Sequence, residues 1–218
     1  MDNASSLITD AHLLLEAGSF ARSRSLTVLA QEELGKALWV YETFEQAWST
    51  GDEEPRTVDE LHSRGRDHVR KYAAAFVFGD ELPMFWGDYS SLRQPEEGES
   101  WGAAHERWRR EADEAADQAN RRKQAGFYVD RGADGAVTSP SSIEAGSTEE
   151  DLQTAAQVVE MLLIKDHIRM KHDAQTPYDS THEQQFRLLP ISHPEDWTAA
   201  PESFRNSGGR VFQEADDE

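Results

Sequence analysis

Apolar residues recur every three to four positions along most of the chain, and this spacing predicts helices. The first such stripe runs from Leu7 to Leu15 and predicts a helix over about residues 4–17. Gly18 follows it at the place where a helix-terminating glycine belongs. A broader apolar stripe then predicts a long second helix over about residues 20–48. The short link between the two helices predicts an antiparallel helical hairpin.

Three more segments with helical periodicity follow, separated by loops rich in glycine, proline and serine. They cover about residues 57–78, 101–124 and 147–172. The residues expected to face inward on the second of these helices are Trp101, Ala104, Trp108, Ala112, Ala115 and Ala119. On the third they are Leu152, Ala155, Val158, Val159, Leu162 and Leu163. The sequence therefore predicts an all-α bundle of about five helices that forms one domain over residues 1–173. Residues 174–218 are polar, contain several prolines and end in acidic residues, and we expect an irregular, partly mobile C-terminal extension there.

A polar triplet, Glu32, Glu33 and Lys36, interrupts the apolar pattern of the second helix. Its simplest interpretation is an intrahelical ion pair on a solvated face. Burying such charges without partners is costly, however, so a buried triplet would need other groups to satisfy it. Gly35 favours that alternative, because a glycine inside a helix costs about 1 kcal/mol relative to alanine. We expect another element to approach the second helix closely at this glycine.

A second polar set lies on the predicted third helix, where His68 and Lys71 share a face and Arg64 lies one turn earlier. The set is either a solvated basic patch or a site for a phosphodiester. Imidazole can act as a general acid or base near neutral pH, and the two cations could neutralise a phosphate. Tyr128 and Asp130, at the start of a loop, could close over the same pocket or could pack and cap a turn.

Composition narrows the possible partners. The chain has 42 acidic and 22 basic residues, a net charge of −20 and five lysines. This balance fits either an ordinary acidic cytosolic protein or adaptation to high salt, which we favour because salt screens self-repulsion. It disfavours extended binding along a nucleic-acid backbone but allows a local basic pocket.

Several classes of protein can be set aside. The chain contains no cysteine, which excludes disulfides and thiol catalysis and fits a reducing cytoplasm. We expect no membrane association, because there is no apolar run of 18 residues and the N-terminus does not look like a signal peptide. The Glu-x-x-His pairs of bundle metal sites are missing, as are glycine-rich phosphate loops. We therefore expect no metal and no other cofactor.

Four ordered motifs together resemble the AbiV group of abortive-infection proteins, within the HEPN superfamily of helical bundles. They are Asp10-Ala-x-x-Leu-Leu with Gly18, Leu29-Ala-x-Glu-Glu-Leu-Gly-Lys36, His68-x-x-Lys71 and Tyr128-Val-Asp130. The resemblance covers about residues 6–130 and extends weakly to 172. It implies a HEPN-type bundle, usually a homodimer, with a role in defence against phage or virus.

Many HEPN proteins are metal-independent ribonucleases that use an Arg-x(4–6)-His motif paired across a dimer. Arg56-x5-His62 fits the motif but lies at a predicted helix start, and Arg187-x5-His193 fits it but spans Pro190. Neither lies in the final predicted bundle helix, where the motif is expected. We therefore assign catalysis to other residues, namely Glu33, Lys36, His68 and Lys71. The binding residues assigned beside them are Glu32, Arg64, Tyr128 and Asp130.

Three hypotheses follow. In the first, the protein acts on RNA as a metal-independent endoribonuclease, with His68 as the acid–base group and a viral or host protein as activator. In the second, it is a non-catalytic defence protein that binds another protein, and its Glu/Lys/His residues form a structural network. The burial of Lys36 and His68 separates these two. In the third, the bundle is unrelated and its motifs match by chance.

Overall fold

The computed structural model describes residues 1–50, 54–131, 135–142, 145–170 and 181–197. These residues form eight α-helices, two short 3-10 helices and one antiparallel hairpin. The α-helices are α1 (Asp2–Glu16), α2 (Phe20–Thr50), α3 (Asp59–Arg64), α4 (His68–Gly79), α5 (Leu82–Phe85), α6 (Trp101–Phe127), α7 (Gly146–Met170) and α8 (Thr181–Ser192). The 3-10 helices cover Tyr89–Ser91 and Pro140–Ser142. In the hairpin, β1 (Asp130–Arg131) pairs with β2 (Val137–Thr138), and Asp130 lies opposite Thr138.

The prediction of an all-α bundle is confirmed, but the expected number of about five helices is too low. The predicted third helix is split into α3 and α4, because the Asp67 carboxylate accepts a hydrogen bond from the Arg70 amide and caps a new helix. The loop predicted after it contains α5, with Pro83 in the first turn, where a proline is well tolerated.

The first two helices form the predicted hairpin. Gly18 has a φ of +74°, a left-handed conformation that favours glycine. The Leu14 carbonyl accepts from the Ser19 amide and the Leu15 carbonyl accepts from the Gly18 amide, which satisfies the last turn of α1. The turn therefore sends α2 back along α1.

Helices α1, α2, α4, α7 and α8 enclose the hydrophobic core. The core includes Ile8 of α1, Leu34 and Leu38 of α2, and Leu162 of α7. All six residues predicted to face inward on α7 are buried: Leu152, Ala155, Val158, Val159, Leu162 and Leu163. On α6, alanines form the inner face, but Trp101 in its first turn is 59% exposed and not internal as predicted.

Helix α8 lies inside the predicted irregular extension and packs against α1 and α7. Leu188 is fully buried, and the helix continues through Pro190 to Ser192. The Ser192 carbonyl accepts hydrogen bonds from Gln153 and Gln157 of α7. The segment from 181 to 197 is therefore structured, which corrects the expectation of an irregular chain there. The boundary at residue 173 stays a prediction, and the predicted mobile C-terminus lies outside the described residues.

Candidate functional site

Two glycines let neighbouring helices approach α2 closely. A Cβ on Gly35 would lie 1.9 Å from the Lys71 carbonyl oxygen of α4. A Cβ on Gly126 of α6 would lie 2.0 Å from the Ser25 Oγ of α2. Both distances are far below van der Waals contact, so only glycine fits at either position without a shift of the helices. The predicted close approach at Gly35 is confirmed, and the two contacts place α4 and α6 beside the polar stretch of α2.

Glu32 lies at the centre of this junction and is 2% exposed. Its Oε1 accepts a hydrogen bond from the Nζ of Lys123 on α6. Its Oε2 lies 2.6 Å from the Nδ1 of His68 and 3.5 Å from the Nζ of Lys71, both on α4. A buried carboxylate is tolerated only when charges and hydrogen bonds compensate it. These four residues, Glu32, His68, Lys71 and Lys123, are called the Glu32 cluster below.

His68 is the solvent-exposed member of the Glu32 cluster, since its side chain is 54% exposed. It is the first residue of α4, so the Asp67 cap fixes the backbone beside it. A carboxylate can only accept, so the neutral imidazole carries its proton on Nδ1 and leaves a lone pair on Nε2. Among the described residues, Nε2 has no hydrogen-bond partner. This arrangement suits a group that takes up and returns protons at the surface.

The two lysines of the cluster are buried. The side chain of Lys71 is 5% exposed and that of Lys123 is 10% exposed. Together with the Glu32 carboxylate they leave a local surplus of one positive charge, within a chain of net charge −20. The lysines therefore act on the surroundings of His68 through charge rather than as long, mobile surface ligands.

Glu33 and Lys36 form a separate pair, with 2.5 Å between Nζ and Oε1 and side chains 26% and 31% exposed. Partial burial raises the pKa of Glu33, but hydrogen bonds from Lys36 and Asn3 oppose this effect. The charges of Lys36 and Lys71 add to them, and the net pKa lies below its ordinary value. Successive residues of a helix point about 100° apart, so Glu33 leaves α2 on a different side from Glu32.

The other predicted binding residues do not join the Glu32 cluster in the structure. Arg64 is the last residue of α3 and is exposed, whereas His68 begins α4. The prediction that the two residues share one helix is therefore wrong. Tyr128 directly follows α6 and is 67% exposed. The Asp130 carboxylate accepts from the Arg131 amide within the hairpin. Their roles in binding stay predictions.

The two matches to the Arg-x(4–6)-His motif also have defined positions. Arg56 precedes α3, and His62 is exposed on that helix. Arg187 lies on α8, outside the predicted final bundle helix, which corresponds to α7. His193 follows α8, and its Nε2 lies 3.2 Å from the buried Glu160 Oε2.

Sequence reasoning missed Lys123. The signal that could have found it is the inner face of α6, where Ala112, Ala116 and Ala119 are buried. Lys123 continues this face at the next step of four residues, and it is one of only five lysines in the chain. A rare lysine on an apolar helix face needs a buried partner, and Glu32 supplies it.

The structure is thus a helical bundle in which a buried carboxylate holds an accessible imidazole. A family model described as AbiV, of the HEPN type, matches residues 1–160, and the chain belongs to this family. The resemblance predicted from the motifs is confirmed, and the hypothesis of an unrelated bundle is wrong. The match includes the whole Glu32 cluster and ends before α8. No curated protein and no solved structure was found to be similar to the chain.

Over the residues that the structure describes, none of the helices combines the length and the apolar character needed to cross a bilayer.

Proposed function

We propose that the protein is an antiviral abortive-infection effector that acts on RNA as a metal-independent endoribonuclease. Membership of the AbiV family supports the role in defence. The observation that carries the chemistry is the His68 imidazole, half exposed and held through Nδ1 on the buried Glu32 carboxylate. A homodimer, a viral or host protein activator, a cytoplasmic location and adaptation to high salt stay predictions beside this proposal.

The proposed chemistry is the attack of a ribose 2′-hydroxyl on the adjacent phosphodiester. His68 Nε2 accepts the hydroxyl proton as O2′ bonds to phosphorus. The bond from phosphorus to the 5′-oxygen breaks, and that oxygen takes a proton from His68 or from water. Glu32 favours the imidazolium that forms during this transfer. The surplus charge of Lys71 and Lys123 favours the negative charge that develops on the phosphate.

The test is incubation of the purified full-length protein with total cellular RNA in high salt, with a chelator present. We expect cleavage by the wild type and a loss of at least about 100-fold in His68→Ala, as for removal of a general acid–base group. His105→Ala is the matched control, because His105 is an exposed histidine on α6 outside the cluster. His62→Ala and His193→Ala test the two motif matches. Undiminished cleavage by His68→Ala would contradict the assignment.

A second candidate function is favoured by the burial of Lys71 and Lys123. In this alternative the protein does not cleave RNA, the Glu32 cluster fixes the helices, and the defence role depends on binding another protein. Expression in cells separates the two candidates. Growth arrest that persists in a folded His68→Ala variant, without RNA cleavage by the wild type, would favour the binding protein.

A further inference from the structure

We infer that Lys123 is a positioning residue for His68 and acts on it through the Glu32 carboxylate. The two oxygens of Glu32 have separate partners. Oε1 accepts from Lys123, whereas Oε2 faces His68 Nδ1 at 2.6 Å. A carboxylate that is free to rotate can present either oxygen to the imidazole in many orientations. The Lys123 bond removes this freedom and directs Oε2 to His68.

The backbone around Lys123 is itself held against α2, and this fixes the position from which the Lys123 side chain extends. The Lys123 carbonyl lies 2.9 Å from the Ser25 hydroxyl, which also lies 3.0 Å from the Ala21 carbonyl. One turn further along α6, Gly126 fits against the same residues of α2. This anchor involves neither His68 nor Glu32, so the position of Lys123 does not depend on the groups that it orients.

Lys71 differs from Lys123 in this respect. It lies on the same helix as His68, and its Nζ is 3.5 Å from Oε2, the oxygen that already faces the imidazole. It supplies a compensating charge, but it does not hold the second oxygen. Removing Lys71 therefore leaves the Lys123 bond and the carboxylate orientation in place, whereas removing Lys123 releases them. The two lysines are predicted to have different effects on His68.

The tautomer of His68 shows whether the Glu32 carboxylate keeps its orientation, and it can be measured without a substrate. In full-length protein labelled with ¹⁵N, at a pH of about 9 where an ordinary imidazole is neutral, we expect the proton on Nδ1 in the wild type. In Lys123→Met we expect His68 to shift toward the Nε2–H tautomer. Lys71→Met should retain the wild-type tautomer, and Lys123→Arg should restore it because a charged donor remains. Lys165→Met is the control, because this lysine pairs with Glu81 and lies outside both the cluster and the predicted site.

Circular dichroism and urea unfolding establish which variants fold. If Lys123→Met does not fold, Lys123→Gln replaces it, because its neutral side chain ends one bond short of the ammonium. A folded variant without the Lys123 charge that keeps the Nδ1–H tautomer overturns the inference. Failure of both variants to fold, while Lys71→Met folds, also overturns it, since Lys123 would then serve the stability of the bundle.

The consequence for catalysis rests on the proposed function. If the wild type cleaves RNA, Lys123→Met should lower kcat by at least about tenfold with a smaller change in KM, as expected for loss of imidazole orientation. The NMR and cleavage results separate the two proposals. A tautomer shift without cleavage by any variant refutes the ribonuclease and leaves the positioning role supported. Cleavage with an unchanged tautomer in folded Lys123→Met refutes the positioning role alone.

Discussion

Two buried glutamates in this molecule each meet a histidine, and their surroundings differ. Glu32 and Glu160 have side chains 2% and 4% exposed, and the nearest imidazole nitrogens lie at 2.6 and 3.2 Å. His68 is 54% exposed, whereas His193 is 22% exposed and has the Trp86 ring 4.8 Å away, centroid to centroid. The first imidazole is accessible from solvent. The second lies between α5, α7 and the end of α8, within ion-pair distance of Glu160 but without a hydrogen bond to it.

The two glutamates also differ in whether lysines pair with them. Glu32 has two buried ammonium partners, Lys71 and Lys123, in addition to its histidine. A histidine can lose its proton near neutral pH at little cost, but a lysine cannot. If the carboxylate is removed, a histidine partner can therefore lose its charge, whereas the two lysine partners of Glu32 keep theirs. The same pair of residue types thus lies in an enclosed contact between helices in one place and in a charged cluster with an exposed imidazole in the other.

The largest expected effect follows from this difference. Glu32→Gln should lower the free energy of unfolding by about 3–5 kcal/mol, because two buried ammonium groups lose their counter-charge. Glu160→Gln should cost about 1–3 kcal/mol, because His193 can become neutral and only a polar contact is weakened. Urea unfolding at neutral pH measures both. Equal losses would show that the lysines do not distinguish the two sites.

A triple variant, Glu32→Leu with Lys71→Met and Lys123→Met, is the control for this experiment. Replacing a buried ion triad by apolar residues is often neutral or stabilising. We expect the triple variant to regain most of the stability lost in Glu32→Gln, but neither variant should cleave RNA, because both lack the Glu32 carboxylate. Recovery of both stability and cleavage would contradict a chemical role for the cluster.

An intermediate effect is expected at Gly35. Gly35→Ala places a Cβ against the Lys71 backbone, so α4 must move away from α2. The free energy of unfolding should fall by about 1–3 kcal/mol. This movement separates His68 from Glu32 but leaves the Glu160–His193 pair intact. Gly102→Ala is the matched control on α6, where a Cβ meets nothing closer than the Ser100 Oγ at 4.0 Å.

Unfolding measurements on both glycine variants test this expectation. Gly102→Ala should stabilise the protein by at most about 1 kcal/mol, because Gly102 lies in the first turn of α6 and its Cβ makes no close contact. Stabilisation by Gly35→Ala as well would contradict the close approach of α4.

Helical periodicity predicted most of the fold because the buried faces are continuous. The stripe of α7 was correct at every predicted inward residue. What periodicity could not show is where one helix becomes two, since the break before α4 depends on the Asp67 side chain reaching a single amide. It also missed α8, because Pro190 and the polar sequence around it conceal the few apolar residues that pack on α7.

The site was predicted in part. His68, Lys71 and Glu32 meet in the structure, and Gly35 indicated the contact between their helices. Glu33 and Lys36 pair with each other outside the cluster, and their catalytic role stays a prediction. The sequence could not show this separation, because an i,i+3 pair has the same spacing on a buried or an exposed face. Lys123 lies 91 positions from Glu32, and no local pattern connects residues at that separation.

The smallest expected effect concerns the Glu33–Lys36 pair, which contains the same residue types as the cluster but remains partly exposed. Lys36→Met should lower the free energy of unfolding by less than about 1 kcal/mol at neutral pH, as for other surface pairs. Because the pKa of Glu33 is lowered in the folded state, its contribution is present above the ordinary glutamate pKa. That contribution is lost as the pH falls through the folded-state value.

The cost of Lys36→Met should therefore shrink on acidification, since Glu33 is then protonated in both proteins. Urea unfolding at pH 7 and pH 3 measures the change. In a Glu33→Gln background, Lys36→Met should show no such pH dependence, because the carboxylate that responds to Lys36 is gone. A pH-dependent cost that persists in this background would mean that Lys36 interacts with another acidic group, and the exposed pair would no longer be independent of the buried cluster beside it.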